Sequence, residues 1–202
     1  MIVVGLTGNY GSGKSTVARM FTDLGALTMD TDDIVRELLS EPAVIEEIEQ
    51  AFGMDAVKCG IVDKRWLAAK VFKDASSRLS LENLIHPLVF ERINRELAVI
   101  NTAEEKVVII EAPVIFERGH QSKFDKIITV YVPETVNIQR LKEKDISEAD
   151  AELRLRSQLP VEIKMRGSDF VIDNSKDLKD TREQVRTVYQ ELLSGERKHG
   201  NN

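Results

Sequence analysis

The run Gly8-Asn9-Tyr10-Gly11-Ser12-Gly13-Lys14-Ser15 fits G-x-x-x-x-G-K-[ST] at every specified position. Residue types in this order can hold a polyphosphate. Glycines let the backbone curl so that successive N–H groups point at phosphate oxygens, and a following helix N-terminus adds partial positive charge. Lys14 is spaced to reach the β and γ phosphates, and the Ser15 hydroxyl to ligate Mg²⁺. Gly8, Gly11, Ser12, Gly13, Lys14, Ser15 and Thr16 are therefore the candidate nucleotide loop, with ATP and Mg²⁺ as the expected cofactors. Chance would produce this pattern in roughly one chain in a hundred of this length. Here it also sits between an apolar strand and an amphipathic helix, the context the motif requires.

Other candidates lie near the ends of later strands. Asp30-Thr31-Asp32-Asp33 closes the second strand. One of these acids could simply cap the next helix, while another could orient an acceptor hydroxyl toward a γ-phosphate. The residue types leave open which of Asp30, Asp32 and Asp33 would do so. Glu111 ends the third strand, where a carboxylate can hold a Mg²⁺-bound water or start a helix. Arg140 and Lys144 stand at i, i+4 after the fourth strand, the spacing of one helix face. Cations delivered there could stabilise the transferring phosphoryl group. The stretch Arg140–Arg166 holds seven basic and six acidic residues, so position and not charge density supports that role. His86, before Pro87 in an apolar helical region, reads first as a hydrogen-bonded structural group. Trp66 and the tyrosines read as core or pocket wall.

The elements that would position these residues follow from apolar spacing. Ile2–Thr7 reads as a buried strand, β-branched and continuously apolar. A helix follows from Lys14, with Val17, Met20, Phe21 and Leu24 on one face and Gly25 as its C-terminal cap. Ala26–Met29 is a second strand, and a helix spans about Asp32 to Ser40. Residues 42 to 101 read mainly as helices, over Val44–Phe52, Trp66–Phe72 and Leu79–Ile100, with turns at Gly53 and Gly60. Val107–Ile110, Lys126–Val132 and Asp169–Ile172 are the third, fourth and fifth strands. Helices are expected at about Glu134–Glu143, Glu148–Gln158 and Leu178–Leu193, and a polar, frayed end at Gly195–Asn202. This alternation predicts an α/β domain with a parallel sheet covered on both faces, its chemistry at the carboxyl ends of the strands.

A net charge of −6 argues against nucleic acid or an anionic membrane as partner, since both need Lys and Arg in excess. A small polyanion needs only a few local cations and N–H groups. The single cysteine, Cys59, permits no internal disulfide, and the three histidines show no metal-ligand spacing. The opening run Met1–Leu6 lacks a basic flank and is too short for a signal peptide or membrane span, so a cytoplasmic location is expected.

Six segments together resemble the dephospho-coenzyme A kinases. They are residues 8–16; Asp30-Thr31-Asp32 followed by Arg36; Asp63-Lys64-Arg65 with Leu67 and Phe72; His86-Pro87; Pro113–Glu117; and Gln158–Ser175. The resemblance implies a P-loop NTPase-like three-layer fold with a five-stranded parallel sheet. Its core would span about 1–30, 106–133 and 169–195, with a helical coenzyme-binding insertion at about 31–105 and a lid at about 134–168. It implies transfer of the ATP γ-phosphate to the ribose 3′-hydroxyl of dephospho-coenzyme A, the small-molecule partner. By position it makes Asp32 the catalytic carboxylate, Lys14 the phosphate-binding lysine and Arg140 the lid cation. Arg36 and His86 become substrate-side residues, and Ser15 and Glu111 the metal-side pair. Lys144 stands where the family usually has Arg, and an ammonium cannot form the planar bidentate fork. Thr31 and Ser168 replace usual alanines, and the glycines common after the second helix are missing around Glu41-Pro42. A kinase for a nucleoside or nucleotide shares the phosphate loop. A GTP-dependent switch does not fit: the chain has no D-x-x-G, and Ser122-Lys123-Phe124-Asp125 precedes its strand where N-K-x-D should follow one.

Overall fold

The computed structural model describes residues 1–100 and 106–197, with side chains through residue 195. Along the chain the order begins β1 (Ile2–Gly8), α1 (Lys14–Asp23), β2 (Leu27–Asp30), α2 (Thr31–Leu38) and α3 (Pro42–Phe52). It continues with β3 (Val57–Lys58), β4 (Ile61–Val62), α4 (Lys64–Lys73), α5 (Ala75–Val99), β5 (Val107–Glu111) and β6 (Lys126–Tyr131). Then come α6 (Glu134–Lys142), α7 (Glu148–Arg156), α8 (Val161–Gly167), β7 (Phe170–Asp173) and α9 (Leu178–Arg197). The chain divides into two compact units, Met1–Asp30 with Asn101–Asn202 and Thr31–Ile100.

The first unit is built on a five-stranded sheet in the order β2-β5-β1-β6-β7. Every pairing in it is parallel, with Val4 opposite Ile109 on one side of β1 and Leu6 opposite Ile128 on the other. Side chains alternate across a strand, so the residues of β1 divide between two faces. Val4 and Leu6 join Val17 and Phe21 of α1, and Val185 and Leu192 of α9, in one buried core. Each fully buried side chain of this size stabilises by about 1.5–3 kcal/mol relative to exposure. Gly5 faces the other way, where a Cβ would stand 2.7 Å from Ile115 Cδ1 and 2.9 Å from Phe124 Cγ, so glycine lets that layer approach. On the same face Ser168, at the end of α8, bonds Thr129 of β6 at 2.6 Å. The layers are helix, sheet and helix. A Schellman arrangement ends α1: Ala26 N donates to Phe21 O and Gly25 N to Thr22 O, with Gly25 at φ 102° as its position in sequence predicts.

The second unit is mainly helical. Its buried apolar residues include Ile34, Leu38, Val44, Ile48, Leu67, Ile85, Val89 and Ile93. Arg92 of α5 bridges Glu37 at 3.1 Å and also pairs with Glu41. Asp63 caps α4 by accepting from Trp66 N at 3.0 Å, and Asp74 caps α5, which runs on through Pro87.

Three features differ from the sequence reading. Strands β3 and β4 form an antiparallel hairpin around Gly60, each too short at two residues to show a period. Helix α8 is absent from the expectation because its buried residue is a lysine, Lys164, so no apolar stripe marks it. The end predicted to fray at Gly195 continues as α9 through Arg197, beyond which the prediction lies outside the described residues. No helix of the described residues is long and apolar enough to cross a membrane.

Candidate active site

The phosphate loop joins β1 to α1 at the carboxyl edge of the sheet. Its glycines answer two demands. Gly11 and Gly13 take φ of 83° and 89°, a region costly for other residues. Space is the second demand: a Cβ on Gly13 would lie 2.3 Å from Asn174 Nδ2, and one on Gly8 would lie 2.5 Å from the Val130 carbonyl. The loop closes on itself through Ser12 N donating to Asn9 O at 3.0 Å. Helix α1 starts at Gly13 with no side-chain cap, so the N–H groups of its first turn present partial positive charge at the loop.

Lys14 Nζ donates to the loop carbonyls of Gly8 at 3.1 Å and Asn9 at 3.3 Å, which holds the ammonium over the loop. Ser15 Oγ donates to Glu111 Oε2 at 3.0 Å, joining the start of α1 to the end of β5. Parallel pairing sets this meeting, because Leu6 lies opposite Glu111 in the register of β1 and β5. Only tertiary structure could bring together two residues 96 positions apart. Among the described residues the buried Ser12 hydroxyl has no hydrogen-bond partner.

Arg140 lies in the last turn of α6, and its Nη2 donates to the Asn174 carbonyl at 2.8 Å. Asn174 was not singled out from sequence, yet it links several parts of the site. Its Nδ2 donates to Ser12 O at 2.8 Å, its Oδ1 accepts from Thr181 Oγ1 at 3.0 Å, and its backbone N–H bonds Tyr131 O. The available signal was its place after the fifth strand. Arg140 and Lys144 do not share one helical face, because α6 ends at Lys142 and Lys144 is exposed beyond it. Glu143 is followed by tightened turns closed by Lys144 N to Leu141 O and Asp145 N to Lys142 O. The three remaining candidates belong to the second unit. Asp32 is in the first turn of α2, Arg36 pairs with Asp33 at 2.5 Å, and His86 is half-buried on α5.

A phosphate loop between the central strand and its helix, on a five-stranded parallel sheet, defines the P-loop NTPase-like fold. The shikimate kinase of Acinetobacter baumannii shares this fold at a TM-score of 0.57 and 16% identity, over 96% of this chain and 94% of that one. The dephospho-CoA kinase family profile matches residues 2–180. The dephospho-CoA kinase of Syntrophotalea carbinolica is 37% identical over 198 residues, covering 96% of this chain and 94% of the relative. That of Aquifex aeolicus is 39% identical, covering 94% and 96%. The solved dephospho-CoA kinase from Campylobacter jejuni superposes with a TM-score of 0.71 at 28% identity, over 96% of this chain and 98% of that one. This chain belongs to the dephospho-CoA kinase family, and so to the ATP-dependent phosphotransferases.

Proposed function

We propose that the chain transfers the γ-phosphoryl group of ATP to the ribose 3′-hydroxyl of dephospho-CoA, giving CoA and ADP, the last step of coenzyme A synthesis. The observation that carries the reading is a family match over residues 2–180, which includes the phosphate loop and the segments that resemble the acceptor side. In the reaction the bond from the γ-phosphorus to the ADP oxygen breaks and one to the ribose oxygen forms. The hydroxyl proton passes to a carboxylate, a role assigned to Asp32. Lys14 and the N–H groups of the loop bind the β and γ phosphates, and Arg140 stabilises charge on the transferring group. Arg36 and His86 serve on the acceptor side, within an insertion at 31–105.

Ser15 and Glu111 fit Mg²⁺. Both offer hard oxygens, 3.0 Å apart. Among the described residues no group of three or more His, Cys, Asp or Glu forms a protein-only metal cage. Mg²⁺ does not need one, since it keeps waters and takes phosphate oxygens. When bound, it would neutralise charge on the β and γ oxygens. The stretch 134–168 acts as a lid that excludes water, which would otherwise compete as acceptor. The reading places the enzyme in the cytoplasm, acting on a small molecule and not on nucleic acid.

The test is to mix purified protein, Mg-ATP and dephospho-CoA, and to follow CoA and ADP together, with nucleosides, nucleotides and shikimate as rival acceptors. Stoichiometric CoA and ADP are expected with dephospho-CoA. ADP formation only with a rival acceptor would overturn the reading.

A further inference from the structure

Lys164 is a fully buried lysine on α8 that the mechanism above does not use. Its Nζ lies 2.7 Å from Glu117 Oε1, a side chain only 10% exposed, and donates to the Pro113 carbonyl at 3.2 Å. That carbonyl also accepts from Thr7 Oγ1 at 3.2 Å, on the strand residue that precedes Gly8. Burial pushes the Lys164 ammonium below its usual range, and Glu117 opposes the shift. A buried ion pair of this kind stabilises little relative to apolar side chains of equal volume. Its presence needs another explanation.

The same Glu117 Oε1 accepts from Leu159 N at 3.1 Å, just past the end of α7. The neighbouring Gln158 reaches the other way, its Oε1 accepting from Tyr10 N of the phosphate loop at 2.7 Å. One turn earlier on α7, Arg154 Nη1 donates to the Tyr10 hydroxyl at 2.6 Å, and its guanidinium carbon stands 4.9 Å from the ring centroid. Residues 158 and 159 are thus pinned on two sides, by the buried pair and by the loop. We propose that Glu117 and Lys164 are positioning residues that fix the Gln158-Leu159 corner, so that Gln158 and Arg154 hold Tyr10 and set the conformation of the phosphate loop. The chain of contacts runs from Lys164 to Glu117, Leu159, Gln158 and Tyr10. The proposal rests on the kinase reading for its catalytic consequence but has a structural readout of its own.

The test compares the wild type with Lys164→Met, the double variant Lys164→Met/Glu117→Leu, and Gln158→Ala. Lys164→Met should melt lower, because it leaves a carboxylate buried without its partner. The double variant removes both charges and should recover most of that loss. Its turnover should nevertheless stay at least about tenfold below wild type, and its KM for ATP should rise at least about threefold, because the Leu159 N–H has lost its acceptor and the loop assigned to ATP is no longer held. Amide exchange at Tyr10 should be at least about tenfold faster in the double variant and in Gln158→Ala, with the melting point of Gln158→Ala unchanged. Wild-type Tyr10 exchange and turnover in the double variant would overturn the proposal, and so would wild-type behaviour of Gln158→Ala should the double variant not fold. Tyr10 exchange is read without substrate, so an enzyme inactive on dephospho-CoA still decides this question separately.

Discussion

Asn174 and Asp32 differ in how their surroundings commit them. Asn174 is buried and committed to protein partners, tying Ser12 of the loop to β7 and α9. Asp32 is exposed in the first turn of α2, where an acid also suits the helix dipole. If it takes the proton of the acceptor hydroxyl, Asp32→Asn keeps the shape and removes the base. Turnover should then fall by about 10²–10⁴-fold, the range of general acid–base contributions. ATP affinity, set by the loop, should change little. Steady-state kinetics paired with calorimetric ATP titration measures both, and near-normal turnover would take Asp32 out of the mechanism. Of the candidates, the glycines, Lys14 and Ser15 were legible because their spacing is local. Asn174 was not, because its importance comes from partners as far as 162 residues away.

At the scale of elements, caps and buried polar groups decide where helices start and which face they turn inward. Asp74 illustrates a cap with a measurable signature. The Ser77 and Ser76 hydroxyls, then the N–H groups of the same residues, hold its carboxyl well below the usual carboxylate value of 3.8. A group whose folded-state value is depressed stabilises the fold fully above its unfolded value, and that contribution fades as pH falls through the folded one. The melting-point gap between wild type and Asp74→Ala should therefore be constant above about pH 5 and narrow below about pH 4. Thermal melts across that range test it, and an equal gap at about pH 3 and about pH 7 would refute the assignment. Helix α8 makes the complementary point. A lysine at its buried position breaks the apolar periodicity by which α1, α5 and α9 were read.

For the whole molecule, the loop and Glu111 belong to one compact unit while Asp32, Arg36 and His86 belong to the other. A ligand that binds only folded protein stabilises it by an amount that grows with the logarithm of its concentration relative to Kd. Mg-ATP at about a hundred times its Kd should add about 2.7 kcal/mol, a rise of roughly 5–10 °C in Tm for a chain of this size. Lys14→Ala should lose most of that rise if Lys14 is the cation that binds the phosphates. Differential scanning fluorimetry with and without nucleotide decides it. A full shift in Lys14→Ala would contradict the loop assignment.

The sequence by itself determined the parallel α/β plan, the phosphate loop and the Schellman end of α1. These depend on apolar period, glycine conformation and short spacings, all local properties of the chain. Boundaries drifted, by a residue at β2 (Leu27–Asp30) and β7 (Phe170–Asp173) and by more at α5, which starts at Ala75 and not at Leu79, because period fixes a face more sharply than an end. Only the tertiary structure decided that Ser15 meets Glu111, that Asn174 seats the loop, and that Lys164 lies buried against Glu117. Each of those contacts is made by strands and helices far apart in the chain, and the energy of a buried polar group depends on partners that spacing alone does not reveal.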